Sequence, residues 1–109
     1  MKYQHIRHLG LDDVMRNRYF VCYDVRDQQR LAQTYKKMRG YGDPVQYSVF
    51  MCELNGKEII YMKDDLGTIL NLAEDRLLII NVGPVNVNKK NVEVIGMSID
   101  TEKEASIVI

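Results

Sequence analysis

The chain has 109 residues, 46% of them hydrophobic, with fifteen basic and fifteen acidic side chains and a formal charge of zero. That fits one compact domain burying roughly two thirds of its unfolded surface and excludes a molecule that is basic throughout. The halves differ, however: residues 1–54 carry nine Lys/Arg against six Asp/Glu, and residues 55–109 carry six against nine, so a nucleic-acid surface is expected mainly in the first half.

Residues 1–17 read as an N-terminal extension without an apolar run of signal-peptide length, and no later run approaches a membrane span. Cys22 and Cys52 sit in apolar runs with no close Cys or His, which gives neither a disulfide framework nor a cysteine metal motif. The expectation is a cytoplasmic protein, not membrane-bound, with buried thiols. His5 and His8 stand at an H-x-x-H spacing with Asp12 and Asp13 following. A helix there would allow a transition-metal site, although isolated His pairs near a terminus are commonplace.

Residues 19–25 are β-branched or aromatic at nearly every position, as suits a strand covered on both faces. By alternation Tyr19, Val21 and Tyr23 share one face and Phe20, Cys22 and Asp24 the other, so Asp24 lies in line with core residues at the strand's end. It is either a helix-entry residue, an ordinary use of Asp, or a functional carboxylate. Asp27 is a good N-cap for a helix in which Leu31, Tyr35 and Met38 form the apolar stripe and Gly40 and Gly42 the stop. Arg30, Gln33 and Lys37 fall on another face, with Lys36 and Arg39 nearby, and such a stripe is as readily a solvated face as a binding one.

Residues 45–54 alternate as an extended segment too long for an average strand, which predicts a bend or split near 48–50. Asn55 followed by Glu58 has capping-box spacing, and Ile59, Met62, Leu66 and Ile69 make the stripe of a second helix that Gly67 weakens. The apolar run 76–82, closed by Gly83-Pro84, predicts a central strand, and residues 92–97 an edge or added strand. The order is strand, helix, extended pair, helix, strand, strand. An α+β fold satisfies it economically: a ferredoxin-like βαββαβ sandwich with an additional C-terminal strand.

The segments "YFVCYDVRDQQR", "YGDPVQYSVFMCEL" and "EDRLLIINVG" together resemble, in order and spacing, the small CRISPR-associated protein of the adaptation machinery, the second in that naming series. The resemblance covers about residues 18–98, leaving 1–17 as an extension and 99–109 as a tail. It implies the ferredoxin-like fold, a homodimer, metal-dependent cleavage of RNA or DNA, and a place beside the CRISPR-associated integrase in spacer acquisition. On this resemblance Asp24 takes the place of the family's metal-binding aspartate and Arg30 that of a basic residue at the start of the first helix. Ser48 and Phe50 lie in the family's "QYSVF" segment. Pro44 stands where many members have an arginine, and the extension is longer than usual.

A hard ion such as Mg²⁺ or Mn²⁺ is held poorly by one carboxylate. A two-fold axis near Asp24 would supply a second, and one ion between two Asp24 residues could polarise a phosphoryl oxygen and activate water. Arg26, Arg30 and Lys37 would contact phosphates beside it. Phe50 is expected to pack in the core more than to stack a base, and Ser48 to act as a locally bonded hydroxyl, since no base motif accompanies it. Tyr23, Tyr41 and Tyr47 read as core or interface aromatics. Two readings follow: a metal-dependent endonuclease with Asp24 as catalytic residue, or a non-catalytic dimeric scaffold that binds DNA and bridges integrase subunits. A related ferredoxin-like ribonuclease of the virulence-associated toxins is a third.

Overall fold

A computed structural model describes residues 15–85 and 93–97. Six elements follow in order: β1 (Asn17–Asp24), α1 (Gln28–Met38), β2 (Gly42–Gln46), β3 (Val49–Leu54), α2 (Gly56–Ile69) and β4 (Arg76–Pro84). The strands make one antiparallel sheet in the order β2-β3-β1-β4, the topology expected of the ferredoxin-like fold. The extended segment splits where a bend was predicted, because Gln46 pairs with Val49 across a turn formed by Tyr47 and Ser48.

Both helices start where their caps dictate. The Asp27 carboxylate accepts from the Arg30 N–H at 2.9 Å. Asn55 accepts from the Lys57 and Glu58 N–H groups at 3.0 and 2.8 Å, while Glu58 accepts from the Asn55 N–H at 3.0 Å, completing a capping box. Glu58 is fully buried, and its charge is answered by Arg16 at 2.8 Å. Arg16 therefore locks the start of β1 onto α2, and its carbonyl accepts from the Val85 N–H just beyond β4.

The helices cover one face of the sheet. Tyr35 and Met38 of α1 and Met62 and Leu66 of α2 meet Val21, Tyr23, Phe50 and Leu54 in the core. Tyr35 lies edge-on to Phe50 at 5.4 Å, and Tyr23 stacks on the same ring at 6.2 Å. Gly42 is required by proximity: a Cβ there would lie 2.6 Å from Cys52 Sγ and against the Met51 carbonyl. Pro44 sits on the edge strand β2, the place where a missing N–H costs the sheet nothing.

Three expectations are corrected. Among the described residues the run 76–82 forms an edge strand, β4, which pairs with β1 and with no other strand, instead of a central one. The face of β1 that carries Phe20, Cys22 and Asp24 is the one without helices, so Asp24 lines up with half-buried open-face residues and not with the core. Both have one physical cause: an apolar run reports that a strand's two faces are apolar, not what covers them, and Leu78 and Ile80 of β4 remain 53% and 42% exposed. Residues 93–97 make no strand, although Glu93, Val94 and Ile95 line a shallow cavity of about 330 Å³ with Phe20, Val45 and Val49.

Candidate active site

Strand register arranges the open face in rows. Phe20 of β1 has Met51 of β3 on one side and Ile80 of β4 on the other, and Cys22 has Val49 and Leu78. The next row belongs to Asp24, whose partner on β4 is Arg76. On its β3 side the pairing continues for one more residue, since the Tyr23 N–H donates to the Ser48 carbonyl at 3.1 Å. The following residue there is Tyr47. An exposed carboxylate thus stands at the end of a central strand, at the border of an apolar field and opposite an exposed guanidinium.

The loop that follows Asp24 is held by a carboxylate the sequence reading did not single out. Asp75, whose side chain is inaccessible to solvent, accepts from the Arg26 N–H at 3.0 Å and the Asn71 N–H at 2.8 Å. It also takes a bidentate contact from Arg30, Nε at 2.9 Å and Nη2 at 3.1 Å, and Arg30 Nη2 donates to Glu74 at 3.0 Å as well. The Arg30 guanidinium beside it holds the Asp75 carboxyl well below the usual carboxylate range, against the opposing effect of desolvation and with help from the two backbone donors. Asp75 in turn raises Arg30 above the ordinary arginine value. The two loops flanking Asp24, 25–27 and 70–75, are thereby fastened to each other.

The sequence-predicted residues divide accordingly. Asp24 and Arg26 are exposed at the site, Arg26 with its backbone fixed and its guanidinium in no ion pair with a described residue. Arg30 has three of its five donors committed to Asp75 and Glu74. Lys37 lies nine residues into α1, roughly 14 Å along the helix from its start, where with Lys36, Gln33 and Thr68 it borders a separate groove of about 410 Å³. Ser48 contributes its backbone carbonyl to the anchoring of β1. Phe50 is fully buried in the core and Tyr23 and Tyr41 are buried there with it, whereas Tyr47 is 55% exposed. Cys52 is buried and its thiol is pushed up to about 12, chiefly by desolvation and further by Asp43. Cys22, expected to be buried too, is only half-buried because it faces the open side. The His5 and His8 pair lies outside the described residues.

Arg76 is a second residue the sequence reading missed. Its signal was available once 76–82 was paired antiparallel with β1, because the basic start of one run then meets the acidic end of the other. Asp75 carried no comparable signal, since its partner Arg30 is 45 positions away.

A carboxylate oxygen suits a hard divalent ion, but no group of three or more potential metal-ligating side chains exists among the described residues. Among the described residues Asp24 therefore belongs to no three-ligand set, and a single carboxylate holds such an ion poorly. No helix among the described residues is long and apolar enough to cross a membrane.

Against known proteins, residues 15–90 match the family model described as CRISPR associated protein Cas2. The chain belongs to the Cas2 family. It is 37% identical over 95 residues to the CRISPR-associated endoribonuclease Cas2 of Geobacter sulfurreducens, covering 87% of this chain and all of that one. To a CRISPR-associated endoribonuclease Cas2 of Rhodospirillum rubrum it is 37% identical over 91 residues, 83% of this chain and 89% of the other. Among solved structures, Cas2 of Streptococcus pyogenes superposes with a TM-score of 0.64 at 28% identity, over 72% of this chain and 99% of its own. A hypothetical protein of Thermus thermophilus superposes with a TM-score of 0.66 at 29% identity, over 78% and 96% respectively. Family membership carries the fold with it, and it removes the toxin-type ribonuclease as a reading.

Proposed function

We propose that this Cas2-family chain is a divalent-metal-dependent endonuclease of the CRISPR adaptation machinery. It acts as a homodimer on RNA or DNA phosphodiesters and works with the CRISPR integrase in spacer acquisition. The observation that carries the reading is the exposed Asp24 carboxylate at the end of β1, opposite Arg76 and bordering an apolar sheet face. Relatives at 37% identity that bear the name of an endoribonuclease support it.

The apolar rows of Phe20, Cys22, Met51, Leu78 and Ile80 favour a second copy as the cover of the open face. A helix-free sheet face with Leu78 and Ile80 half in water is costly for a monomer. A two-fold axis across that face brings two Asp24 carboxylates together to hold Mg²⁺ or Mn²⁺. The ion, when bound, supplies positive charge that draws electron density from a phosphoryl oxygen and makes water more acidic. Arg76 and Arg26 hold the phosphate by charge-assisted hydrogen bonds. Arg30 keeps Arg26 and Asp24 in place through Asp75, with two donors left for the strand.

Labelled RNA, single-stranded DNA and duplex DNA are to be incubated with wild type and Asp24→Asn in Mg²⁺, Mn²⁺ or chelator, with mass measured by light scattering. Metal-dependent cleavage by a wild-type dimer, lost in an Asp24→Asn dimer, is expected. Equal cleavage by a rigorously purified variant would overturn the assignment. The scaffold reading is favoured by one observation: Lys36 and Lys37 border their groove well away from Asp24, a basic surface larger than a cleavage site requires. It predicts that Asp24→Asn spares spacer acquisition whereas the double Lys36→Ala, Lys37→Ala variant impairs it.

A further inference from the structure

Arg30 holds two carboxylates, and it holds them differently. Its Nε and Nη2 donate to the two oxygens of Asp75 at 2.9 and 3.1 Å, the side-on fork by which a planar guanidinium meets a carboxylate. That fork uses the Nη2 hydrogen on the Nε side. The other Nη2 hydrogen, on the Nη1 side, goes to Glu74 at 3.0 Å. The end-on edge of the guanidinium, made by Nη1 and this second Nη2 hydrogen, is thus half taken by Glu74, and its Nη1 half bonds to no described residue.

The two carboxylates also differ in what else secures them. Asp75 is inaccessible to solvent and accepts from the Arg26 and Asn71 N–H groups as well, so it stays in place. The Glu74 side chain is 56% exposed, and Arg30 is its one side-chain partner among the described residues. Its backbone is pinned, because the Glu74 N–H donates to the Asn71 carbonyl at 3.0 Å. Release of Glu74 from Arg30 therefore takes rotation about side-chain bonds and no movement of the loop. An exposed contact of this kind is weak, whereas a phosphate, with more oxygens and more charge, occupies both halves of the edge at once.

The position suits a strand bound at Asp24. Arg76, the β4 partner of Asp24, directly follows Asp75, about 3.8 Å from it between Cα atoms. The Arg26 N–H bound to Asp75 lies two residues beyond Asp24. Arg30 is fastened through Asp75 to both stretches of chain that leave the pair Asp24 and Arg76. We propose that the end-on edge of Arg30 is a phosphate seat that Glu74 fills in the free protein and yields to the nucleic-acid strand, with Asp75 holding the arginine throughout. Glu74 is then an internal competitor: it weakens the hold on substrate and product alike and returns to Arg30 as a cleaved strand leaves. This rests on the nuclease reading above, which supplies the strand.

The exchange has a signature in salt. A strand whose phosphate is neutralised by a free arginine sheds counterions, but one that displaces a carboxylate leaves that carboxylate to gather them, so in wild type the seat adds little to the salt slope. Glu74→Gln keeps the size of the side chain and removes its charge. Anisotropy of labelled RNA, single-stranded DNA and duplex DNA in chelator, over a range of salt, is expected to show about two- to fivefold tighter binding by Glu74→Gln. The slope of log Kd against log salt should steepen by about 0.7 for a single strand or about 0.9 for duplex, the value of one phosphate. Asp64→Asn, which removes an exposed carboxylate of α2, controls for net charge and should leave the slope unchanged. Arg30→Lys keeps the charge opposite Asp75 but has no planar edge, and in that background Glu74→Gln should bring no gain. Should Arg30→Lys fail to fold in thermal melts, the slope and the Asp64→Asn comparison decide. Unchanged affinity and slope in Glu74→Gln, or a gain that Asp64→Asn matches or that persists in Arg30→Lys, would overturn the seat and leave the nuclease reading intact. Wild type that binds none of the three nucleic acids, in chelator or in Mg²⁺, would overturn the nuclease reading and the seat with it.

Discussion

Truncation of Phe50 separates its two conceivable roles, core ring and base platform. The ring is fully buried and makes a stacked contact with Tyr23 and an edge contact with Tyr35. Phe→Ala at such a site costs about 3–5 kcal/mol, the aromatic pairs adding to the lost area. A domain whose described core runs from about residue 15 to 85 has ~4–10 kcal/mol of stability to lose, at ~0.05–0.15 kcal/mol per residue. Phe50→Ala therefore removes a third or more of it. With a urea m-value near ~1.2 kcal/mol/M, the midpoint falls by about 3 M at fixed protein concentration. Phe50→Leu keeps most of the volume and costs about 1–2 kcal/mol, so it provides a folded comparison. Far-UV circular dichroism in urea reads both variants, and anisotropy of a labelled oligonucleotide reads binding. An unchanged midpoint in Phe50→Leu accompanied by weakened binding would refute the core assignment.

Asp75→Asn tests the fastening of the two loops through its pH dependence. The folded-state value of Asp75 is depressed, so its contribution is fully present above about pH 5, begins to fall below the ordinary carboxylate value of about 3.9, and is lost completely only as pH drops through the depressed folded value. The stability gap between wild type and Asp75→Asn should be large at pH 7 and shrink by pH 3 in thermal melts; a gap that stays constant over that window would contradict the assignment. Gly42→Ala should destabilise by about 1–3 kcal/mol, because its Cβ meets Cys52 Sγ and the Met51 carbonyl; denaturant unfolding checks it, and a neutral result would mean that β2 slides freely against β3. In a Cys22→Ala variant the remaining thiol, Cys52, should react with a thiol reagent at pH 8 only as fast as the chain opens. Its burial and its value pushed up to about 12 leave almost no thiolate, so prompt labelling of the folded chain would show the site to be accessible.

The sequence by itself determined what depends on neighbours along the chain. The Asp27 and Asn55 caps, the capping-box partner Glu58, the stripe of Ile59, Met62 and Leu66, and the split of the extended segment all arise from residues a few positions apart, whose spacing is set by helix and strand geometry. Asp24 was legible because an acid that ends an apolar strand is conspicuous. Only the tertiary structure decided which side of each strand is covered. Apolar alternation in β1 and β4 is the same whether helices or a second chain lie above it, so Phe20, Leu78 and Ile80 read as core until the helices proved to occupy the opposite face. The tertiary structure also decided the partners of charges. Arg30, read from the sequence as a phosphate contact, is held by Asp75, and Arg76, read as the start of a strand, stands opposite Asp24. An ion pair between residues 45 positions apart leaves no periodic trace in the sequence, because the fold alone brings its two ends together.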